Sequence, residues 1–221
     1  MAIAFQGESA AYRAARNALL SAERDLRRQT EAVAQLRREL PQGHQVAEDY
    51  RFESVVDGSI CERPLSSLFE YPERSLVVYS FMFAEGDAPC PMCNAFLDAF
   101  DGVAQHVGEQ LNLAIVAKAD PQTLAEWQRG RGWQHLKLYS HRSSSYARDY
   151  FSESPDGAQL PMLNMFEQTA QGIHHSYTTE LFFEPTEPGQ HPRHMDAFMP
   201  LWKLFDLTGE GRPANWMPSV R

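Results

Sequence analysis

The chain has 221 residues, 43% of them apolar, and a formal net charge of −9, which gives it length for a sizeable core in one large or two small domains and sets it among globular chains. No apolar run nears the roughly 20 residues that a bilayer-spanning helix needs, so a membrane is not an expected partner. The acidic balance repels phosphate, which sets nucleic acid aside as well.

Met1 to Phe5 is apolar, but Gly7, Glu8 and the arginines from Arg13 onward interrupt it before the apolar region of a signal peptide could form. The expectation is a cytoplasmic location, and it bears on the cysteines. In a reducing compartment a C-x-x-C pair is catalytic, redox-sensing or metal-bound more often than a permanent cross-link.

Ser9 to Leu40 reads as one long helix with Ser9 as N-cap and neither Gly nor Pro inside. Leu19, Leu26, Val33 and Leu40 fall seven apart, with Ala22 and Leu36 between them, giving a narrow apolar stripe that Gln29 interrupts. Pro41, Gln42 and Gly43 end the helix and mark the clearest boundary, so residues 1–43 form an N-terminal helical extension and 44–221 the main domain. Through residue 43 the chain carries seven arginines against five acids, leaving thirteen basic and twenty-four acidic residues in the remainder. A net +2 facing −11 favours docking of the helix on an acidic body, within one chain or between two. A helix of some thirty residues is about 45 Å long, more than the diameter of the remaining domain, so a homodimer with this helix in its interface is expected.

After the boundary, Tyr50 to Val56 and Asp57-Gly58 read as a strand and turn of a hairpin, followed by a short helical segment near Leu65 to Phe69. Ser75 to Phe83 is nearly continuous apolar sequence, as a central strand covered on both faces would be. Asn94 to Val107 is amphipathic and Leu111 to Ala117 is a second buried strand, which makes a βαβ unit. Asp120-Pro121 opens another helix that Gly130 and Gly132 stop. Leu136 to Tyr139 alternates like a half-buried strand, Tyr146 to Phe151 suggests a helical turn, and Met162 to Phe166 with His174 to Thr178 a hairpin. Met195 to Leu207 is helical by composition, with Pro200 either kinking it or marking its true first turn.

Between the first buried strand and the amphipathic stretch stands Cys90-Pro91-Met92-Cys93. Two cysteines so spaced at a helix start form a thiol–disulfide centre: the unpaired N–H groups and positive end of the helix favour a thiolate on Cys90, and Cys93, one turn on, is placed to resolve a mixed disulfide. Pro91 suits the first helical position, where no N–H is needed. A lone C-x-x-C is equally half of a zinc site, whose remaining ligands would have to come from Cys61 or from His191 and His194, spaced H-x-x-H in a proline-rich stretch. A third reading makes both cysteines merely buried. No metal and no cofactor is expected, and Cys61 reads as a small buried apolar residue.

The order of these elements is similar to the thioredoxin fold, and the added N-terminal hairpin and the strand at Leu136 to Tyr139 resemble its peroxiredoxin branch. The arginine-rich first helix, FMFAEGDAPCPMC, DPQTLAEWQRGRGW, the hairpin ending in HHSY and the closing DLTGEGR together resemble, over nearly the whole chain, a bacterial thioredoxin-like family of unknown function whose members are often labelled predicted dithiol–disulfide oxidoreductases. The resemblance implies an α/β thioredoxin-like fold of peroxiredoxin type, a central mixed sheet flanked by helices with a long N-terminal helix. It implies catalytic roles for Cys90 and Cys93, and a substrate-binding role for Leu160 and Pro161, where thioredoxin-like proteins carry a cis proline facing the dithiol. The alternative at that bond is an ordinary trans proline at a strand's first residue.

The sequence departs from those patterns in three places. The strand before the dithiol lacks the buried aspartate of thioredoxins; Glu85 and Asp87 are near, in a loop longer than thioredoxin's. The peroxiredoxin pattern P-x-x-x-T-x-x-C would make Cys93 the peroxidatic thiol, but Gly86 and Cys90 stand where its Pro and Thr belong. The C-P-x-C form resembles glutaredoxin, yet acids precede it and disfavour glutathione's carboxylates. The expected function is disulfide exchange with a thiol- or disulfide-bearing substrate and an unidentified reductant; the alternatives are a redox-responsive binding module, a zinc-binding dimer or a thiol peroxidase.

Overall fold

The computed structural model describes residues 3–191, 198–214 and 216–220. Ser9 accepts the N–H of Tyr12 at 3.1 Å and opens α1 (Ala10–Arg38), whose last turn carries Arg37 and Arg38 at the negative end of the helix. No residue of α1 is buried, and Leu19, Leu26 and Leu36 are all largely exposed. The chain divides into two units, Met1–Pro41 and Gln42–Arg221.

The second unit begins with a device the sequence reading assigned to the helix end. Residues 44–46 run along the sheet edge, with His175 N–H donating to the His44 carbonyl at 3.0 Å and Val46 N–H to the Ile173 carbonyl at 2.9 Å. Gly43 is needed there because a Cβ would lie 1.7 Å from the His175 carbonyl oxygen. The pairing covers what would otherwise be an open strand edge.

The sheet follows from alternating and continuous apolar runs. β1 (Arg51–Val56) and β2 (Ser59–Pro64) form a hairpin whose turn residues Asp57 and Gly58 both take positive φ, 50° and 79°, as a two-residue turn matched to strand twist requires. A 3-10 turn (Leu65–Leu68) leads to β3 (Leu76–Ser80), then α2 (Pro91–Gly108), β4 (Asn112–Ala117), α3 (Pro121–Arg131), β5 (Leu138–Ser140), α4 (Tyr146–Asp149), β6 (Leu163–Thr169), β7 (Gly172–Thr178) and α5 (Pro200–Phe205). The seven strands are ordered β2-β1-β5-β4-β3-β6-β7, with β3, β4 and β5 mutually parallel and the others antiparallel. This is the thioredoxin-like mixed sheet of peroxiredoxin type, with the β1–β2 hairpin added beside β5.

Every residue of β3 is buried, and its alternation divides the core. Val77 and Tyr79 face a cluster with Phe81, Cys93, Phe96, Leu97 and Trp133, whereas Leu76 and Val78 join Phe52, Tyr146, Tyr150 and Phe166. The dithiol helix thus belongs to one face of the sheet, and the tyrosine-rich cluster to the other.

Two expectations are corrected. The strand expected at Leu136 to Tyr139 is Leu138–Ser140 and is buried throughout rather than by alternation, because β5 lies between β1 and β4 and is covered on both faces. The described part of the last helix is only Pro200–Phe205, with Pro200 in its first turn; Met195, like His194, lies outside the described residues.

Candidate active site

The N-terminus of α2 is fixed from three directions. Cys90 is its N-cap residue, and its own N–H donates to the Met82 carbonyl at 3.0 Å, tying it to the chain that continues β3. Pro91 follows at the first helical position, where the expected missing N–H is harmless. Asn94, almost wholly buried, donates through Nδ2 to the Cys90 carbonyl at 2.9 Å and accepts the indole N–H of Trp127 at 2.9 Å, which links the cap to α3. Farther along α2, Asp98 accepts the indole N–H of Trp133 at 2.9 Å, and Asp101 accepts the backbone N–H groups of His135 and Leu136 at 2.8 and 3.1 Å. Neutral and charged hydrogen bonds thus lock the helix against the segment before β5.

The two thiols differ as their positions dictate. Cys90 is partly exposed and Cys93 is buried, and both are free thiols. The Cys90 thiol is pulled down to about 6, chiefly by a hydrogen bond from the Cys93 side chain, with the backbone N–H groups of Cys93 and Met92 adding to it against the opposing effect of burial. The Cys93 N–H approaches the Cys90 Sγ at 3.5 Å. Cys93 is pushed well above the usual thiol range, first by giving its hydrogen bond to Cys90 and then by burial. The helix end contributes to the thiolate as expected, but the neighbouring thiol contributes more.

Beside the pair lies a pocket of about 310 Å³. Met82, Met92, Gln159, Leu160 and Pro161 line it together with Phe182, Phe183 and Met217, and Cys90 and Cys93 both belong to its wall. Leu160 and Pro161 therefore stand at the dithiol, but the Leu160–Pro161 bond is trans, since no cis peptide bond occurs among the described residues. A trans proline is acceptable because Pro161 precedes β6 and owes no N–H to the ladder; the neighbouring Leu160 N–H goes to the Ser152 carbonyl at 2.8 Å.

Phe182, Phe183 and Met217 were not among the residues the sequence singled out. Phe182 ends a 3-10 turn (Glu180–Phe182) just after β7. Met217 is brought in by the tail, where Trp216 packs edge-on against Phe205 and Trp202, at centroid distances of 5.5 and 6.3 Å. Glu85 and Asp87 lie in the loop before Cys90, and Asp87 accepts from Gln159 Nε2 at 3.3 Å.

Cys61 sits on the edge strand β2 opposite Ser54, outside this pocket. Among the described residues, no group of three or more His, Cys, Asp or Glu side chains is placed to hold a metal ion. His191 packs on Trp202 at a ring distance of 5.2 Å. No helix among the described residues is long and apolar enough to cross a membrane.

Solved structures similar to this chain include reduced Prx3 from Vibrio vulnificus in complex with H2O2, at 12% identity and a TM-score of 0.49, covering 69% of this chain and 91% of that one. Thioredoxin peroxidase I of Plasmodium yoelii is 19% identical with a TM-score of 0.46, covering 81% of this chain and 100% of that one. Reduced 2-Cys peroxiredoxin of Plasmodium vivax is 18% identical with a TM-score of 0.47, covering 80% and 89%. No curated protein matches the chain. A family model does match residues 4–221, nearly the whole length, and with it the chain belongs to the family described as bacterial protein of unknown function (DUF899).

Proposed function

We propose that the chain is a thiol–disulfide oxidoreductase in which Cys90 attacks and Cys93 resolves. The observation that carries this reading is the asymmetry of the pair: a partly exposed thiol held near pKa 6 by hydrogen bonds, next to a buried thiol pushed well up, with both residues in the wall of one pocket. Cys90 thiolate attacks one sulfur of a substrate disulfide, the substrate S–S bond breaks, and the departing thiolate takes a proton. Cys93 then loses its proton and attacks the Cys90 sulfur, which releases the second substrate thiol and leaves a Cys90–Cys93 disulfide. The substrate gains two electrons and the dithiol gives them up; a separate dithiol reductant restores the pair.

The apolar lining supports an uncharged, apolar substrate around the reacting sulfur. Glu85 and Asp87 disfavour the carboxylates of glutathione. Leu160 and Pro161 serve as substrate-binding residues in this reading, and the cytoplasm, a reducing compartment, is the place where such a pair would be returned to its dithiol form.

The proposal extends to a homodimer through α1. Leu19, Leu26, Leu36 and Leu40 are 48%, 65%, 63% and 50% exposed. Leaving a large apolar side chain in water instead of burying it forgoes about 1.5–3 kcal/mol, and a second copy supplies both an apolar stripe and acidic surface for the arginines.

A redox titration of the pair, with mass-spectrometric trapping on Cys93→Ser, tests the central reading. A reversible two-electron transition and substrate held as a mixed disulfide on Cys90 are expected. A pair that does not form a disulfide across the biological range, or a trap that captures nothing, contradicts it.

A further inference from the structure

Lys118 follows the last residue of β4, and His141 follows the last residue of β5. These strands are adjacent and parallel, and the His141 N–H donates to the Ala117 carbonyl at 2.9 Å, so the two chain segments leave the sheet side by side. In open α/β sheets, ligands bind outside the carboxyl ends of such strands. A cavity of about 390 Å³ opens at this place, bounded by Lys118, by His141, Arg142 and the three serines after them, by Arg148 of α4 and by Glu153. Neither cysteine of the dithiol belongs to it.

Three cationic side chains stand in its wall against one carboxylate, on a chain whose net charge is −9. Their hydrogen-bonding capacity is only partly used. Lys118 Nζ bonds Glu153 at 2.7 Å and has further ammonium hydrogens to give, and Arg142 meets Glu53 through Nε at 2.8 Å, which leaves its terminal nitrogens. Arg148 makes no side-chain hydrogen bond or ion pair among the described residues. Ser144 accepts the Tyr146 N–H at 3.3 Å and still has its own proton, and the Ser143 hydroxyl is unengaged, whereas Ser145 donates to Glu48 and Asp149.

His141 is the least expected member of this wall. It is 6% exposed, yet its ring makes no hydrogen bond among the described residues. It is also absent from the side chains whose polar atoms are sealed from solvent without a partner, so its ring nitrogens border open space, and the space that His141 lines is this cavity. Burial keeps the imidazole neutral near pH 7, with one N–H to donate. A buried polar group of this kind calls for a partner.

We propose that the cavity binds a small phosphate monoester, its phosphate held by Arg148, Arg142 and Lys118, with the His141 ring and the Ser143 and Ser144 hydroxyls as neutral donors. Charge selects this ligand: three cations less one carboxylate leave +2 in the wall, which matches the roughly −1.5 to −2 of a phosphate monoester. A carboxylate would balance half of that, and it presents two oxygens in one plane to donors arriving from three chain segments, where a phosphate presents three. Arginine's planar fork suits phosphate in particular. The carboxylates nearby are already engaged, Glu153 by Lys118, Glu53 by Arg142, and Glu48 and Asp149 by Ser145. The volume lies within the roughly 300–1,000 Å³ of small-molecule sites, so the cavity has room for the polar group that carries the phosphate. None of this depends on the chemistry of the dithiol.

Full-length protein in phosphate-free buffer, titrated with glycerol phosphate, inorganic phosphate, acetate or glycerol at fixed ionic strength, tests the site, with the His141 ring resonances followed by NMR. Glycerol phosphate should move them saturably at one equivalent per chain, and acetate and glycerol should not. Arg148→Gln should weaken binding by about tenfold or more, the loss of one charged hydrogen bond. Arg63→Gln, which removes the same charge from an exposed position of β2 outside the cavity, should leave it unchanged. Equal weakening by the two variants reduces the effect to net charge and overturns the proposal. An unmoved His141 under glycerol phosphate overturns it too, as does an equal response to acetate. Binding of inorganic phosphate without the ester overturns the monoester assignment in favour of the free ion. Should Arg148→Gln fail to fold, the His141 response of the unmutated protein to the four titrants decides.

Discussion

Trp127 on α3 donates its indole N–H to Asn94 on α2 at 2.9 Å, and Asn94 passes the constraint on by donating to the Cys90 carbonyl, also at 2.9 Å. Asn94 is 1% exposed, so neither bond is exchanged for water without cost. Asn94→Ala should destabilise the fold by about 1–3 kcal/mol, because it removes both bonds and leaves the indole N–H without its acceptor. Denaturant unfolding of the reduced protein measures this. A loss indistinguishable from zero would show that the helix cap is held by backbone bonds alone.

Acid stability has a defined direction. His141 is 6% exposed, and burial holds its imidazole down at about 4, with the nearby Glu153 and Lys118 pulling in opposite senses. Above its unfolded pKa the group is neutral in both states and makes no difference. As pH falls from about 6.5 toward 4 the unfolded chain takes up a proton that the native chain refuses, and stability drops by an amount on the order of 2–3 kcal/mol. His175, also held down to about 4 by burial and by His44, acts in the same direction. His141→Gln should flatten this part of a stability–pH curve recorded by thermal unfolding, and an unchanged slope contradicts the assignment.

Substrate preference is set by the pocket walls. Phe182→Ala should weaken the use of an apolar peptide disulfide by roughly tenfold in kcat/KM, as expected for a side chain that loses part of its contact with substrate. Its effect on a small hydrophilic disulfide should be slight. Steady-state exchange with the two substrates measures the difference, and equal losses on both would place Phe182 outside the binding surface.

How much of this was legible in the sequence depends on the range over which each feature is encoded. The dithiol and Pro91 were readable because a helix start is a local matter: cap, proline and thiol spacing lie within four residues. The strands of the sheet were readable for a similar reason, each being a continuous or alternating apolar run. β5 was misjudged in bounds and burial because its two neighbours in the sheet, β1 and β4, come from distant parts of the chain. The trans bond before Pro161 depended on tertiary setting in the same way. Phe182, Phe183 and Met217 carry no periodic signal; a turn and a tail bring them to the pocket through packing such as Trp216 on Phe205.

The assembly proposal is tested by sedimentation at micromolar concentration. Full-length protein should sediment as a dimer and a chain beginning at Gln42 as a monomer. A monomeric full-length protein, or a truncated one that remains dimeric, removes α1 from the interface.

The claim on which the account rests is that Cys93 holds Cys90 as the reactive thiolate, and alkylation across pH by limiting iodoacetamide, read residue by residue by mass spectrometry, tests it most directly. Cys90 should label first, with a midpoint near the value of about 6 set chiefly by the Cys93 side chain, and Cys93→Ala should move that midpoint up toward an ordinary thiol. Equal labelling of the two cysteines, prior labelling of Cys93, or a Cys90 midpoint unmoved in Cys93→Ala would contradict the account.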